Sequence, residues 1–344
     1  MSYLYALGSG FPAAVSQRDL WTGYFSARVP VPARRLYHHA GVETRHTVVD
    51  LIDDDPSEWT TEQRMARYET EALGLVKQAT QHIDGRDVDS LVVVSCTGYS
   101  TPGIDIMLAR NLGLHESAPR TLVGHMGCHA ALPAIAMASD AAVARGVRTL
   151  VVCVELSSLH AQADLRDPQQ VLTHALFSDA ATALCVVPHP NEDTTPTLEI
   201  LGFASRSATE FADHMRWTIT DSGFRMTLSA KVPRLVAQLV PDVVDDLLRS
   251  NGVRHDEVRG WAVHPGGPQI LDRCAQVLGL GPTTLDASRA TLAEHGNCSS
   301  ATIVMVIERM LATDCIEPDG HLVALAFGPG LTVHGMLLRR TRAR

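Results

Sequence analysis

Short apolar runs alternate with longer amphipathic ones along the chain, the pattern of a layered α/β protein. Residues 91–95 (LVVVS) are β-branched and end in the turn-like TGYSTPG, which predicts a buried strand; residues 102–112 then predict a helix with proline at a tolerated first-turn position. A strand-like approach at 121–123 leads to an alanine-rich helical segment that begins near Cys128 and stops at Gly146. Residues 149–155 (TLVVCVE) and 181–187 (ATALCVV) read as further strands. The stretch 187–197 (VPHPNEDTTPT) is rich in proline and polar turn formers and marks the best boundary. Beyond it the alternation resumes: strands at 199–204, 260–263, 321–327 and 333–339, helices at 233–249 and 299–311. The shared grammar divides the chain into halves at 1–190 and 191–344 and is compatible with an old duplication.

At 344 residues and 45% hydrophobic, the chain is long enough for two core-forming units or one large body. Its 29 basic against 38 acidic residues leave a net charge of −9, which argues against nucleic acid or an anionic membrane as partner. A small polyanion held in a local basic patch stays compatible with that balance. No run of 18 apolar residues occurs, and the start MSYLYALGSGFP lacks the layout of a secretory signal, so a cytoplasmic protein without a membrane span is expected. Seven scattered cysteines, with no CxxC pair and no zinc-like spacing, fit free thiols in a reducing compartment and no metal site. All but two of the basic residues are arginine, which together with the many alanines fits a GC-rich bacterial genome.

Three positions carry candidate chemistry. Cys128, in VGHMGCHAALPAIAMA, follows a strand and a glycine and opens a helix: a nucleophile elbow, in which Gly127 permits the tight turn and the helix start favours thiolate. A buried structural cysteine is the competing account. His264 leaves a strand onto a Pro-Gly-Gly-Pro turn, well placed as acid, base or donor. Asn297, in EHGNCSSATIVMVIERML, reads first as the N-cap of the helix that follows. A thiol, a histidine and an amide, each at the mouth of an element, suit acyl transfer: a sulfur for the covalent step and two donors for the developing oxyanion.

Taken together these segments resemble the chalcone-synthase-like (type III) polyketide synthases, of the thiolase superfamily. The resemblance runs from about Arg34 to Leu338 and includes CTGYSTPG, VVCVELSS, ALFSDAATAL, HPGGP, GN-x-SS and AFGPGLT in that order. It implies a thiolase-like fold, two related βαβαβ-type halves in a five-layer α-β-α-β-α body. It also implies an acyltransferase that needs no cofactor, its substrates being acyl-CoA and malonyl-CoA thioesters, and a homodimer. On these motifs Cys128 is the nucleophile, with His264 as its ion-pair partner, and His264 and Asn297 are the donors to the malonyl thioester carbonyl during decarboxylation. Phe177 matches the aromatic gatekeeper and Met226 the second gate position, where a thioether admits a longer aliphatic starter. Gly328, Pro329 and Gly330 match the loop under the cavity, and Thr101 the residue that reaches the neighbouring subunit.

The remaining pocket positions shape the substrate expectation. By the same resemblance Cys96, Ser157, His160 and Ser299 are expected to line the cavity, and Trp217 matches a position where the plant enzymes carry glycine, filling the room of an aromatic starter. An aliphatic acyl-CoA starter, malonyl or alkylmalonyl extension and a pyrone or resorcinol product follow. Arg34, Arg35 and Arg45 fall in the segment where the family meets coenzyme A. Rival readings are a ketoacyl synthase III-like enzyme fed by an acyl-carrier protein, a catalytically idle acyl-CoA-binding homologue, and a papain-type hydrolase, which the motifs around Cys128 do not support.

Overall fold

The computed structural model describes residues 1–190, 197–313 and 315–342. Its first strand, β1 (Ser2–Gly10), is followed by a short antiparallel pair, β2 (Ala14–Ser16) and β3 (Thr44–His46). The first half continues with β4 (Ser90–Ser95), β5 (Arg120–Gly124), β6 (Thr149–Leu156) and β7 (Asp179–Val187). The second half holds β8 (Leu198–Ser207), the hairpin β9 (Met215–Thr220) and β10 (Gly223–Leu228), then β11 (Val258–Val263), β12 (His321–Gly328) and β13 (Thr332–Arg340). One mixed sheet runs in the order β11-β12-β13-β8-β1-β7-β6-β4-β5. Pairing is parallel between β4 and both β5 and β6, and between β11 and β12; the other neighbours are antiparallel. The two halves meet where Ser2, Tyr3 and Leu4 pair with Ile200, Glu199 and Leu198.

The helices, in chain order, are α1 (Gln17–Leu20), α2 (Arg34–His38), α3 (Thr61–Ala79), α4 (Ile104–Leu112), α5 (Ala131–Arg145), α6 (Pro168–Leu176), α7 (Val232–Ser250), α8 (Pro268–Leu278), α9 (Asp286–His295) and α10 (Ala301–Ala312). Local chemistry sets their ends: Thr60 and Gln63 form a capping box before α3, Asp167 caps α6 ahead of Pro168, and Gly146 closes α5 in the left-handed region. The apolar helices α5 and α10 pack against each other and between strands of both halves, which makes them the middle layer. Each fully buried leucine or isoleucine there, such as Leu132 or Ile135, contributes about 1.5–3 kcal/mol. Outside, α3 covers β1, β6 and β7, while α7 covers β8 and β13. Among the described residues, the stretch Gly127–Arg145 alone is long and apolar enough to span a membrane, and 61% of that window is buried inside the fold.

The strands expected from apolar runs are present, each extended by one to four residues. Helix α4 starts at Ile104 rather than 102, because Gly103 is its N-cap and Pro102 sits in the preceding turn behind a cis peptide bond with Thr101. Of the boundary stretch 187–197, residues 191–196 lie outside the described residues.

Candidate active site

Strand β5 delivers the chain to the elbow. His125 (φ 59°) and Gly127 (φ 77°) reverse it within three residues, and a single 3-10 turn, Gly127–His129, presents Cys128 before α5 begins. A Cβ at Gly127 would lie 2.4 Å from Cδ of Pro329, so the elbow rests directly on the Gly328–Pro329–Gly330 loop of the other half. The same contact is reinforced one residue on: Gly328 is so close to His129 that a Cβ there would fall 2.3 Å from its Nδ1.

Cys128 is buried, and burial pushes its thiol up to about 12; hydrogen bonds from the Ser299 and Asn297 side chains pull the other way by favouring thiolate. The Asn297 carbonyl oxygen accepts from Ser299 N (2.9 Å) and Thr302 Oγ1 (3.4 Å), which leaves its amide N–H groups for the sulfur. Asn297 is therefore not the helix cap expected of it: α10 begins after Ser300, and the amide serves the site instead. The loop is zipped to the expected gate, since Asn297 N donates to Leu176 O (2.8 Å) and Ser178 N donates to Asn297 O (3.0 Å), on either side of Phe177.

His264 follows β11, its backbone N–H held by Leu325 O at 2.8 Å. The ring is buried beside Phe327, and neither ring nitrogen has a protein partner. Burial, and then the charge His129 would carry, push it down to about 3. The structure thus joins Cys128, Asn297 and Ser299 by hydrogen bonds and sets His264 within electrostatic reach of His129, the residue after the cysteine. Two unspent ring nitrogens in a dry cleft are what a substrate carbonyl needs for a donor.

Beneath Cys128 lies a carboxylate that the sequence reasoning did not single out. Glu155, wholly buried at the end of β6, accepts from Cys96 N (3.0 Å), Thr97 Oγ1 (2.8 Å) and Ser300 Oγ (2.5 Å), and the Cys96 thiol sits 3.4 Å from it and from Ser299 Oγ. Burial raises its pKa against those hydrogen bonds. The readable signal was a lone acidic residue closing an apolar strand. Thr97 Oγ1 also accepts from Leu156 N at 2.8 Å, so the group pins the neighbouring strand ends β4 and β6 together.

The pocket candidates fall into two spaces. Phe177, Met226, Ser157, His160 and Trp217 border a void of only about 20 Å³. His160 Nδ1 accepts from Phe224 N (3.0 Å), its Nε2 donates to Thr97 O (2.8 Å), and the ring stacks on Phe224 at 4.3 Å; Trp217 closes edge-on against Phe177 and His160. On the other side of Trp217, a cavity of about 570 Å³ is bordered by Cys96, Met215, Phe224, Pro329 and Gly330. A third space, about 430 Å³ and mostly apolar, runs along Leu176, Leu228, Val232 and Gly266–Gly267 with Arg35 beside it. Thr101 is apart from these, on an exposed turn near the sheet edge.

The arginine expectations divide. Arg34 and Arg35 are exposed on α2, Arg34 over the Trp21 ring. Arg45 is corrected: it is buried on β3, and its Nη1 donates to His174 O and, at 3.1 Å, to Phe177 O, capping the end of α6. A guanidinium buried there does not meet the nucleotide end of coenzyme A at the surface.

A cysteine at a nucleophile elbow, served by an amide and a hydroxyl from the facing half of one layered body, defines a thiolase-fold condensing enzyme. Residues 2–190 match the N-terminal domain of chalcone and stilbene synthases and residues 205–342 their C-terminal domain; the chain belongs to this family, the type III polyketide synthases. It is 31% identical over 321 residues to the alpha-pyrone synthesis polyketide synthase-like Pks18 of Mycobacterium tuberculosis, covering 88% of this chain and 81% of that one. It is 32% identical to type III polyketide synthase 21 of Oryza sativa, covering 98% of this chain and 93% of that one. The crystal structure of 1,3,6,8-tetrahydroxynaphthalene synthase from Streptomyces coelicolor superposes with a TM-score of 0.90 at 26% identity, over 99% of both chains. The enzyme is accordingly an acyl-condensing synthase whose substrates are coenzyme A thioesters.

Proposed function

We propose that this synthase loads an aliphatic acyl group from its coenzyme A thioester onto Cys128, extends it with malonyl-CoA or an alkylmalonyl-CoA, and closes the product as a pyrone or resorcinol. The convergence of Cys128 with the Asn297 amide and the Ser299 hydroxyl in a dry cleft carries this reading. Trp217, packed edge-on against Phe177 and His160, supports the aliphatic starter by filling the room an aromatic ring would need. The name of the mycobacterial relative, an alpha-pyrone synthase, points the same way for the product.

In this reading Cys128 passes its proton to His264 and attacks the starter thioester; the coenzyme A sulfur leaves and takes that proton. Burial disfavours a lone charge on either group, so the two charge as a pair. Malonyl-CoA then enters with its thioester carbonyl toward His264 and Asn297. The bond to the carboxylate breaks, its electron pair forms the enolate, and carbon dioxide departs past the Phe177 ring. Donors fixed beforehand at the enolate oxygen lower this barrier more than they tighten ground-state binding. The enolate carbon attacks the Cys128 acyl carbon and the thiolate is released; that thiolate then attacks the lengthened coenzyme A thioester, and the coenzyme A sulfur leaves. The apolar channel at Leu176 and Gly266 takes the pantetheine arm, with Arg35 and Arg34 toward the phosphates. The 570 Å³ cavity over Pro329–Gly330 holds the growing chain.

The active form is a cytoplasmic homodimer whose halves, 1–190 and 191–344, supply the cysteine and the two donors. Strand β5 ends the sheet with an unpaired edge, and Tyr99, Ile106, Leu122 and Met126 are exposed around it beside Thr101, which fits a second copy seated there. Incubation with malonyl-CoA and a panel of aliphatic and aromatic starters, read by liquid chromatography and mass spectrometry, tests the function. No carbon dioxide release identifies an idle homologue, release only with a carrier protein identifies a ketoacyl synthase, and preferred use of aromatic starters refutes the starter class.

A further inference from the structure

The small void behind Phe177 is polar in an unusual way. Arg45 borders it, 3% exposed, with Nη1 committed to His174 O and Phe177 O, while its Nε and Nη2 have no protein partner. Ser157, 8% exposed, borders the same void, and its hydroxyl is also without a partner. Tyr37 and Asp179 lie close enough to favour the charge of the guanidinium, yet neither meets Nε or Nη2 in a well-aligned hydrogen bond. Tyr37 donates its hydroxyl to Gln17 O at 3.2 Å, and Asp179 accepts from Val48 N and Ser158 N, both at 2.8 Å, and from Ser158 Oγ. The imidazole of His174 accepts from Gln162 N at 3.1 Å. A buried cation with two unspent donor nitrogens is costly unless something accepts from them. At about 20 Å³ the void has room for one oxygen-sized group with such partners, and for little else.

We propose that this void is a subsite for an acceptor oxygen at the far end of the starter acyl group, a ketone or carboxylate oxygen held by Arg45 and Ser157. The proposal rests on the aliphatic-starter reading and narrows it to oxygenated aliphatic acyl groups. The walls include the expected gate and pocket residues Phe177, Met226 and Trp217, and Trp217 and Phe224 also border the 570 Å³ cavity, so the void adjoins the space assigned to the chain. Met226, unbranched and flexible, gives way for the carbon chain. An acceptor oxygen takes hydrogen bonds from these donors, whereas a methyl terminus leaves the guanidinium unmatched.

The test is a competition among butanoyl-CoA, acetoacetyl-CoA, succinyl-CoA and cinnamoyl-CoA as starters for the full-length enzyme with malonyl-CoA, scored as ratios of kcat/KM. Acetoacetyl and succinyl separate the ketone from the carboxylate. The wild-type enzyme is expected to favour at least one of them over butanoyl by about tenfold, the worth of one charge-assisted hydrogen bond. Ser157→Ala should reduce that ratio severalfold, and Arg45→Gln should bring it near one. A ratio is unmoved by a general loss of folded enzyme, so destabilisation alone cannot mimic the result. Butanoyl preferred by the wild type, or a ratio unchanged in both variants, overturns the subsite and leaves the aliphatic reading standing. Cinnamoyl preferred over every aliphatic starter overturns both.

Discussion

Replacing Gly127 by alanine isolates what the elbow costs to build. Two penalties act at once: a left-handed φ of 77°, and a Cβ driven to 2.4 Å from Cδ of Pro329. The first is worth about 1–2 kcal/mol for a residue with a Cβ. The second pushes on a rigid ring, so the backbone of the elbow or the loop must move by about an ångström, at about 1–3 kcal/mol more. Two other glycines separate these effects. Gly146 is left-handed (φ 68°) with nothing near its would-be Cβ, so Gly146→Ala should show the conformational penalty alone; Gly124, with 3.9 Å of clearance, should accept alanine at little cost. Urea unfolding is therefore expected to rank Gly124→Ala, Gly146→Ala and Gly127→Ala in increasing loss, about 0, 1–2 and 2–5 kcal/mol. Adding Pro329→Ala to Gly127→Ala should return the steric part, a coupling of about 1–3 kcal/mol in a double-mutant cycle. Acylation of Cys128 by mass spectrometry should fall in Gly127→Ala and not in Gly124→Ala. Equal stability of Gly127→Ala and Gly146→Ala, or an additive cycle, would falsify the claim that elbow and loop bear on each other.

Cys128→Ala should abolish starter loading, read as a covalent mass shift, while malonyl-CoA decarboxylation stays measurable. Asn297→Ala removes one of two oxyanion donors and should lower decarboxylation by about 10²–10³-fold, followed as carbon dioxide release. His264→Ala should slow decarboxylation and iodoacetamide alkylation of Cys128 together. Without its proton acceptor the thiol, pushed up to about 12 by burial, is ionised progressively more as pH rises, so alkylation should climb about tenfold per unit from pH 7 to 10; equal profiles with and without His264 count against the pair. Trp217→Gly should broaden starter use by opening the space between Phe177 and His160. Leu122→Arg, on the exposed β5 edge, should shift the enzyme to monomer in light scattering.

The strands at 91–95, 149–155 and 321–327 were legible because they are apolar without interruption and buried on both faces. Strand β1 was not. Its sequence, SYLYALGSG, lacks β-branched residues, and a bulge at Ala6, whose φ is 52°, breaks its register against β7. Cys128 and His264 could be read from their punctuation, since glycine and proline mark the turns that expose them. The local pattern around Asn297 reads as a cap, and its assignment as a donor came from the resemblance, because what it faces is a sulfur on another half. Arg45 was misplaced for a similar reason: its partners are backbone carbonyls on a helix 129 and 132 positions away, and carbonyls carry no sequence signal.

The weld between the halves has a consequence for biosynthesis. Ser2, Tyr3 and Leu4 leave the ribosome long before their partners, the residues near 186 and 199 with which they pair. At about 5–20 residues per second the opening strand waits on the order of ten seconds for both partners. Throughout that interval its two hydrogen-bonding edges are open, and the nascent polypeptide depends on chaperones or on the rapid collapse of the intervening segment to keep it from foreign sheets.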